Sequence, residues 1–158
     1  MDRSKWPAGP WDGEPDERKW LSAAGYPCLV LRHSSSGHLC GYVGMWPSHP
    51  WHGRLYDLDV SCHGGITYGS SDGSRGGDPS LWWLGFDCSH VDDLTPDMAA
   101  TAHKGGIWGL HNEIYCNLQY VIAECQELAR QIEEADDPLA RAVRAANQEA
   151  NHARHKST

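Results

Sequence analysis

Two short segments concentrate the residue types that could do chemistry. Residues 63–68 read His-Gly-Gly-Ile-Thr-Tyr, and residues 86–93 read Phe-Asp-Cys-Ser-His-Val-Asp-Asp. In the first segment, Gly64 and Gly65 let the backbone turn sharply and let another group approach with no Cβ in the way. Backbone N–H groups in such a turn form an anion-binding nest. The pattern predicts a phosphate contact with His63, Thr67 and Tyr68 as further donors, although a purely structural turn gives the same pattern.

The second segment places metal-ligating or acid–base residues at the end of an apolar run. Asp87, Cys88, His90 and Asp93 are closely spaced, and these side chains suit a metal ion or general acid–base catalysis. Together with His63 they offer two imidazoles and carboxylates, similar to a 2-His-1-carboxylate site. If the chain is a hydrolase, we therefore expect it to use His63, Asp87, His90 and Asp93, with a divalent metal as cofactor. The alternative is a structural role, in which His90 and Asp93 hold the loop in place through a hydrogen bond.

Aromatic residues form a third group that could contact a ligand. The chain has eight tryptophans but one phenylalanine, and tryptophan combines an apolar body with a polar N–H. Trp46 and His49 lie in a loop rich in glycine and proline, and Trp82 and Trp83 lie in a later apolar run. Stacking of a nucleotide base on such a ring contributes about 1–3 kcal/mol. These residues are predicted base contacts, the alternative being a loop held to the core by its tryptophan.

Charge and hydropathy exclude several classes of partner. The formal net charge is -8, which disfavours binding of nucleic acid but permits a small anion in a local pocket. The sequence has no apolar run of the roughly 20 residues that a membrane span needs. Residues 1–10 have no apolar segment of a secretory signal. These features predict a soluble cytoplasmic protein.

The cysteine pattern predicts free thiols. The chain has six cysteines and no Cys-x-x-Cys pair, so a zinc ribbon and a thioredoxin-like motif are excluded. Since a reducing compartment is expected, buried free thiols are favoured over disulfides.

Hydrophobic patterning predicts an α+β fold with an antiparallel sheet of four to five strands. Its expected strands are Cys28–Arg32, His38–Val43, Leu55–Val60 and Leu81–Phe86, with Ile66–Tyr68 as a possible short addition. A short helix is predicted at Pro15–Ala24, and apolar residues at spacings of three and four predict a helix at Glu113–Glu133. That helix could pack on the sheet or form a subunit interface. Residues 94–112 give weak signals, and we expect them to be mostly loop.

The expected domain organisation is one α+β domain over residues 1–137 followed by a tail. Pro138 can begin a further helix, Leu139–Asn151, and the residues after it are polar. We expect this C-terminal helix and polar tail to be an addition to the domain.

Taken together, these motifs resemble a family of small phage and prophage proteins. The resemblance covers about residues 9–132 and departs from the family pattern at Ile66, where leucine is usual, and in the Ala-rich tail. The residues that carry it are Gly9-Pro10-Trp11-Asp12, Glu14-Pro15-Asp16, Trp20, Cys28-Leu29-Val30, Leu39-Cys40-Gly41-Tyr42-Val43-Gly44, His49-Pro50, His63-Gly64-Gly65-Ile66-Thr67-Tyr68, Trp82-Trp83, Gly85-Phe86-Asp87-Cys88, His90, Asp93-Leu94, Pro96, Tyr120-Val121 and Glu124-Cys125.

The resemblance implies a role against host defence in the host cytoplasm, by one of three mechanisms. The first is a homo-oligomeric protein that sequesters a nucleotide-derived immune signal without any required cofactor. The second is a metal-dependent hydrolase of a phosphodiester-type signal. The third is an inhibitor that binds a host defence protein directly. The glycine turn and the aromatic residues favour the first two. Sequestration is the function that we expect from the sequence, with the hydrolase and the inhibitor as alternatives.

Overall fold

A five-stranded antiparallel sheet forms the centre of the computed structural model, which describes residues 2–73, 75, 77–103, 113–136 and 138–139. The strand order is β1-β2-β3-β5-β4, and every neighbouring pair is antiparallel. The predicted α+β class is confirmed. The elements are β1 (Glu17–Leu21), β2 (Pro27–Arg32), β3 (Leu39–Met45), β4 (Tyr68–Ser70), β5 (Trp82–Asp87), α1 (Pro96–His103) and α2 (Leu118–Asp136).

Helix α2 covers one face of the sheet. It lies against β3 and β2, and its buried stripe consists of Val121, Cys125, Leu128, Ala129, Ile132 and Ala135. The spacing of these residues is the one that predicted an amphipathic helix. Of the two uses predicted for this apolar face, packing on the chain's own sheet is the one observed. Burying such a stripe provides most of a helix's stability, because isolated helices are marginal in water.

The predicted helix Pro15–Ala24 is wrong, because these residues contain edge strand β1. Glu17 pairs with Leu31 and Leu21 pairs with Pro27, so the segment adds a strand to the free edge of β2. Four of its five residues are exposed. A segment this short is a poor helix on its own, and its main-chain hydrogen bonds to β2 outweigh the favourable helix-start residues.

The predicted strand Leu55–Val60 is also wrong. Asp57 has a φ of 62°, a left-handed conformation that cannot continue an extended strand. The segment is irregular, and Leu55, Leu58 and Val60 are half-buried against the core. Its apolar residues do face the core, but their alternation did not indicate regular pairing.

Helix α2, helix α1 and the short extra strand also differ from the prediction. Helix α2 begins at Leu118 instead of residue 113, because the Asn117 side chain accepts a hydrogen bond from the Tyr120 backbone N–H at 2.9 Å and caps the helix there. Helix α1 was not predicted, although Thr95 caps it through the Met98 N–H at 3.2 Å. The short extra strand is β4, which lies slightly later in the chain than expected. The predicted helix Leu139–Asn151 lies outside the described residues, apart from Leu139.

A buried arginine ties the N-terminal arm to the sheet and to the segment before α2. The Arg32 side chain is 0 % exposed, and it contacts Glu14 at 2.8 Å and Asp16 at 3.1 Å. It also donates to the Gly37 carbonyl at 2.8 Å and to the Tyr115 hydroxyl at 2.9 Å. Since a buried charge is tolerated only when it is paired and hydrogen-bonded, this network holds four separate segments together.

Two further features concern the cysteines and the helices. All six cysteines are free thiols, and five of them are buried. Neither helix in the described ranges combines the length and the apolar character that crossing a membrane requires.

Candidate functional site

His63 lies in a tight glycine turn at one edge of the core. The Gly65 N–H donates to the Cys62 carbonyl at 3.0 Å, closing the turn. Gly64 and Gly65 have φ values of 63° and 86°, which only glycine adopts without strain. At Gly64 a Cβ atom would lie 1.9 Å from Cε1 of His90. Glycine at this position is therefore needed both for the turn and for the close approach of the two histidines.

The first turns of α2 orient His63. The Tyr120 hydroxyl lies 2.9 Å from Nδ1 of the imidazole, and a Glu124 carboxylate oxygen accepts the His63 backbone N–H at 2.7 Å. Tyr120 and Glu124 are four residues apart, so both project from the same side of the helix. With Nδ1 held by Tyr120, the other nitrogen, Nε2, points towards the buried side of the turn.

His90 and Asp93 belong to a short turn that follows β5. Asp93 accepts the His90 backbone N–H at 2.8 Å, and its Oδ2 also accepts from Nδ1 of the His90 ring at 3.1 Å. The same oxygen lies 2.9 Å from Nε2 of His63. The Asp93 side chain is 6 % exposed, against 18 % for His63 and 37 % for His90. Asp93 is therefore the most buried of the three side chains, and His90 is the most exposed.

A bridge between two distant segments brings a cysteine to the same place. Ile114 pairs in parallel with Asp93, through backbone hydrogen bonds that join it to Asp92 and Leu94 at 3.0 Å each. Two residues further along, Cys116 Sγ lies 3.4 Å from Oδ1 of Asp93 and 3.9 Å from Nε2 of His63. The fold therefore collects side chains from three separate loops.

We call His63, Cys88, His90, Asp93 and Cys116 the donor cluster. The ligating atoms of His63, Cys88 and Cys116 lie within 4.8 Å of one another, as do those of His63, His90 and Asp93. Around a tetrahedral zinc ion, with Zn–N near 2.0 Å and Zn–S near 2.3 Å, neighbouring donor atoms are roughly 3.3–3.8 Å apart. The cluster is thus close to the size that a metal ion requires.

The electrostatics of the donor cluster favour a negative charge on Asp93, its buried carboxylate. Burial alone would raise the pKa of Asp93, but the hydrogen bonds from His63 and from the His90 backbone hold it below the ordinary value. A hydrogen bond with Cys116 and burial together raise the pKa of the Cys88 thiol. Burial, reinforced by the charge of Glu124, raises the pKa of Tyr120 to about 12. Without a cation, Asp93 is the ionised group and the Cys88 thiol keeps its proton.

Several residues predicted for the site lie elsewhere. Asp87 ends β5, and its carboxylate accepts the Ser89 backbone N–H at 3.2 Å. Thr67 is exposed and donates its backbone N–H to the Gly85 carbonyl at 2.9 Å. The Tyr68 ring packs against Tyr42 on the opposite face of the sheet from α2. The structure therefore brings together the predicted His63, Gly64, His90 and Asp93 but places these three outside the cluster.

The predicted aromatic contacts are dispersed as well. His49 is buried and lies 2.9 Å from the Ile132 carbonyl. Ile132 lies roughly 18 Å along α2 from Tyr120, at a rise of about 1.5 Å per residue. Trp46 packs against Tyr26 near the same helix end. Trp82 donates to the Arg54 carbonyl at 2.9 Å, and Trp83 lies on the other face of the sheet, donating to the Asp78 carbonyl at 2.9 Å. No common pocket with the glycine turn results among these described residues.

Three residues of the site were not predicted from the sequence. Cys116 follows a stretch that gave weak signals, so nothing placed it beside Asp93. Tyr120 and Glu124 were noted only as parts of a motif, although their spacing of four could have indicated a shared helix face towards one partner.

Comparison of the chain with protein-family models, with curated proteins and with solved structures finds no match. The function therefore has to be argued from the donor cluster itself.

Proposed function

We propose that this chain is a metal-dependent hydrolase whose centre is the donor cluster. The observation that carries the proposal is the convergence of imidazole, carboxylate and thiol donors from three loops within 4.8 Å. Of the reactions considered for these residues, metal-assisted hydrolysis uses the whole set. A bound divalent ion supplies a nucleophile at neutral pH by lowering the pKa of a water ligand.

A cysteine nucleophile fits the geometry less well. In a Cys–His pair, one ring nitrogen faces the thiol and the other is held by an orienting carboxylate or amide. Here Nε2 of His63 faces both Cys116 and Asp93, at 3.9 and 2.9 Å, while Nδ1 is held by Tyr120. Because the thiol and the carboxylate share one nitrogen, the arrangement suits ligands around a common ion.

The described residues of the donor cluster differ in their exposure to solvent. Cys88 and Cys116 are buried, at 2 % and 8 % exposure, whereas the His90 side chain is 37 % exposed. A substrate would therefore approach across His90 and the glycine turn. Catalytic zinc sites keep three protein ligands and one exchangeable position, which five donors can provide.

For the substrate we propose a small phosphodiester-type nucleotide signal, in keeping with the anti-defence role that the family resemblance implies. A divalent ion would give a chain with a formal charge of -8 a local site for phosphate oxygens. Tight sequestration of the same signal in the host cytoplasm, by a homo-oligomer, was the first expectation from the sequence and becomes the second candidate here. It uses the same glycine turn, and it differs in leaving the ligand intact. Inhibition of a host defence protein is the third.

One experiment separates these proposals. The purified protein is loaded with zinc or manganese, its metal content is measured, and it is incubated with cyclic dinucleotides and ADP-ribose isomers. Bound metal with cleavage supports the hydrolase, whereas a ligand recovered intact from the protein supports sequestration. A protein that binds neither metal nor nucleotide contradicts both, and its partner is then sought by pull-down.

A matched pair of variants ties the result to the donor cluster. His63→Ala removes the one residue that both donor sets share, and we expect it to abolish metal binding and cleavage. His52→Ala removes a histidine that lies by the Trp82 ring, outside the cluster, and should change neither. Equal activity of the two variants would refute the proposed site.

A further inference from the structure

The donor cluster contains two overlapping ligand sets that would make different metal centres. One consists of His63, Cys88 and Cys116, and the other of His63, His90 and Asp93. The first is a Cys₂His set, which suits zinc and other thiophilic ions, and the second is a 2-His-1-carboxylate set, which suits iron and manganese. The set that binds the ion also determines which residues of the donor cluster are left for other roles at the site.

Depth favours the thiol set. Cys88 and Cys116 are the deepest donors together with Asp93, and the Cys88 backbone is fixed by a hydrogen bond to the Leu39 carbonyl at 3.0 Å. The two sulfur atoms lie within 4.8 Å of each other. Deep, rigid donors lose little conformational freedom when they bind an ion.

The chemistry of the two thiols favours the same set. A divalent ion held by His63, His90 and Asp93 would lie close to both thiols, because the ligating atoms of His63, Cys88 and Cys116 lie within 4.8 Å of one another. A cation at that distance deprotonates a thiol that coordinates it, so the sulfurs would enter the coordination sphere in any case. Binding replaces the two S–H protons, which leave to solvent.

Asp93 keeps hydrogen-bond partners outside the coordination sphere even if Nε2 of His63, which lies 2.9 Å from its Oδ2, binds the ion. Its Oδ2 accepts hydrogen bonds from both the backbone and the ring of His90, so it is part of the structure of that turn. Its Oδ1 accepts from the Cys116 thiol at 3.4 Å. When the thiol gives up its proton to bind an ion, that oxygen is released to accept a hydrogen bond from a water ligand.

We infer that the site is a thiolate zinc centre, in which His63, Cys88 and Cys116 are the protein ligands and the Asp93–His90 pair stands beside the open position. This inference rests on the proposed function, because it assigns the ligands of the proposed metal centre. The sequence had pointed instead to carboxylates and histidines as ligands.

Cobalt titration of the full chain under reducing conditions tests the assignment. Cobalt(II) bound by thiolate gives a near-ultraviolet charge-transfer absorption that histidine and carboxylate ligands do not give. We expect this band in the wild-type protein, and we expect it to weaken by about half in Cys88→Ser and in Cys116→Ser, because each variant keeps one of the two thiolates. The band should persist in Asp93→Asn, and also in Cys62→Ser, a matched control that removes the cysteine next to His63 but outside the cluster.

Each possible result has a defined meaning. Cobalt bound without the thiolate band, or binding that is lost in Asp93→Asn but kept in both cysteine variants, overturns this ligand assignment and leaves a metal centre standing. No binding of cobalt or zinc overturns the proposed hydrolase as well. Because serine at a buried position can unfold the chain, the cadmium-113 chemical shift of the wild-type protein provides the same answer without a substitution. A shift outside the range of sulfur ligation overturns the inference.

Discussion

Replacement of Glu14 by glutamine tests whether the N-terminal arm stabilises the fold and the site. Oε2 of Glu14 pairs with the buried Arg32 guanidinium at 2.8 Å and accepts the Tyr115 hydroxyl. Its Oε1 accepts the Leu118 backbone N–H, at the start of α2, at 2.7 Å. Glutamine keeps the size of the side chain but presents an NH₂ group to one of these donors. It also removes the negative charge that faces Arg32.

The expected loss can be worked from the burial of the pair. The Arg32 side chain is 0 % exposed and that of Glu14 is 13 % exposed. Removing one partner of a buried pair costs about 3–5 kcal/mol, because the other charge is left uncompensated. Asp16 still contacts Arg32 at 3.1 Å, so we expect the lower end, a decrease of about 3 kcal/mol in the free energy of unfolding.

Urea unfolding followed by tryptophan fluorescence measures this loss, and a second Glu→Gln variant provides the control. Glu17 pairs with Lys19 at 3.0 Å, but both side chains are about half exposed. Glu17→Gln should therefore cost at most about 1 kcal/mol, as surface pairs do. Since Tyr115 precedes Cys116, Glu14→Gln should also weaken metal binding. Equal unfolding free energies for the two variants would refute the argument that the buried network stabilises the arm.

Three further predictions concern the neighbourhood of the donor cluster. Tyr120→Phe removes the partner of Nδ1 of His63, so we expect metal affinity to fall by about tenfold in equilibrium competition with a chelator. Gly64→Ala should displace the His90 ring, which NMR of the histidine side chains would detect. It should also lower the free energy of unfolding by about 1–2 kcal/mol, because alanine is strained in the left-handed conformation. Burial, aided by the neighbouring His33, lowers the pKa of His38 to about 4. The unfolded chain then binds more protons between about pH 6.5 and 4, so stability falls by about 3 kcal/mol as pH decreases through that window, and His38→Gln should flatten this part of the curve.

Matched controls are present in the chain for the first two of these variants. Tyr56 is 80 % exposed, and Tyr56→Phe should leave metal affinity unchanged. Gly65 has a φ of 86°, but among the described residues no neighbouring atom lies within 4 Å of the place that its Cβ would take. Gly65→Ala should therefore show the strain without moving His90. If Gly65→Ala displaces the His90 ring as strongly as Gly64→Ala does, steric contact with the Cβ at position 64 is not the cause of the displacement. For His38, a variant with the same pH dependence as the wild type would contradict the assignment.

The sheet was predictable because its central strands are continuous apolar runs separated by a turn signal. Cys28–Arg32 and His38–Val43 each lie within one residue or two of the observed β2 and β3. Edge strand β1 was not predictable in the same way, since four of its five residues face solvent. An exposed edge strand has no periodic apolar signal, and only the free edge of β2 determines its conformation.

The candidate site was predicted in part for a similar reason. His63, His90 and Asp93 stand next to turns and strand ends, where side chains project from the core, so their types and positions indicated chemistry. Cys116 joins them only through the pairing of Asp93 with Ile114, a contact between segments that no local pattern reveals. Asp87 has the right residue type, but its carboxylate accepts a local backbone N–H instead.

The hydrogen bond between Glu14 and the Leu118 N–H joins residues 104 positions apart, and this affects how the chain is made. On the ribosome, Glu14 emerges long before Tyr115 and Leu118. Arg32 can therefore form its hydrogen bond to the Tyr115 hydroxyl only after residue 115 has been synthesised. The donor cluster is likewise incomplete until Cys116 has emerged. Contacts of such long sequence separation slow folding. In the proposed metal centre, an ion could therefore be bound by the full ligand set only after Cys116 has been synthesised.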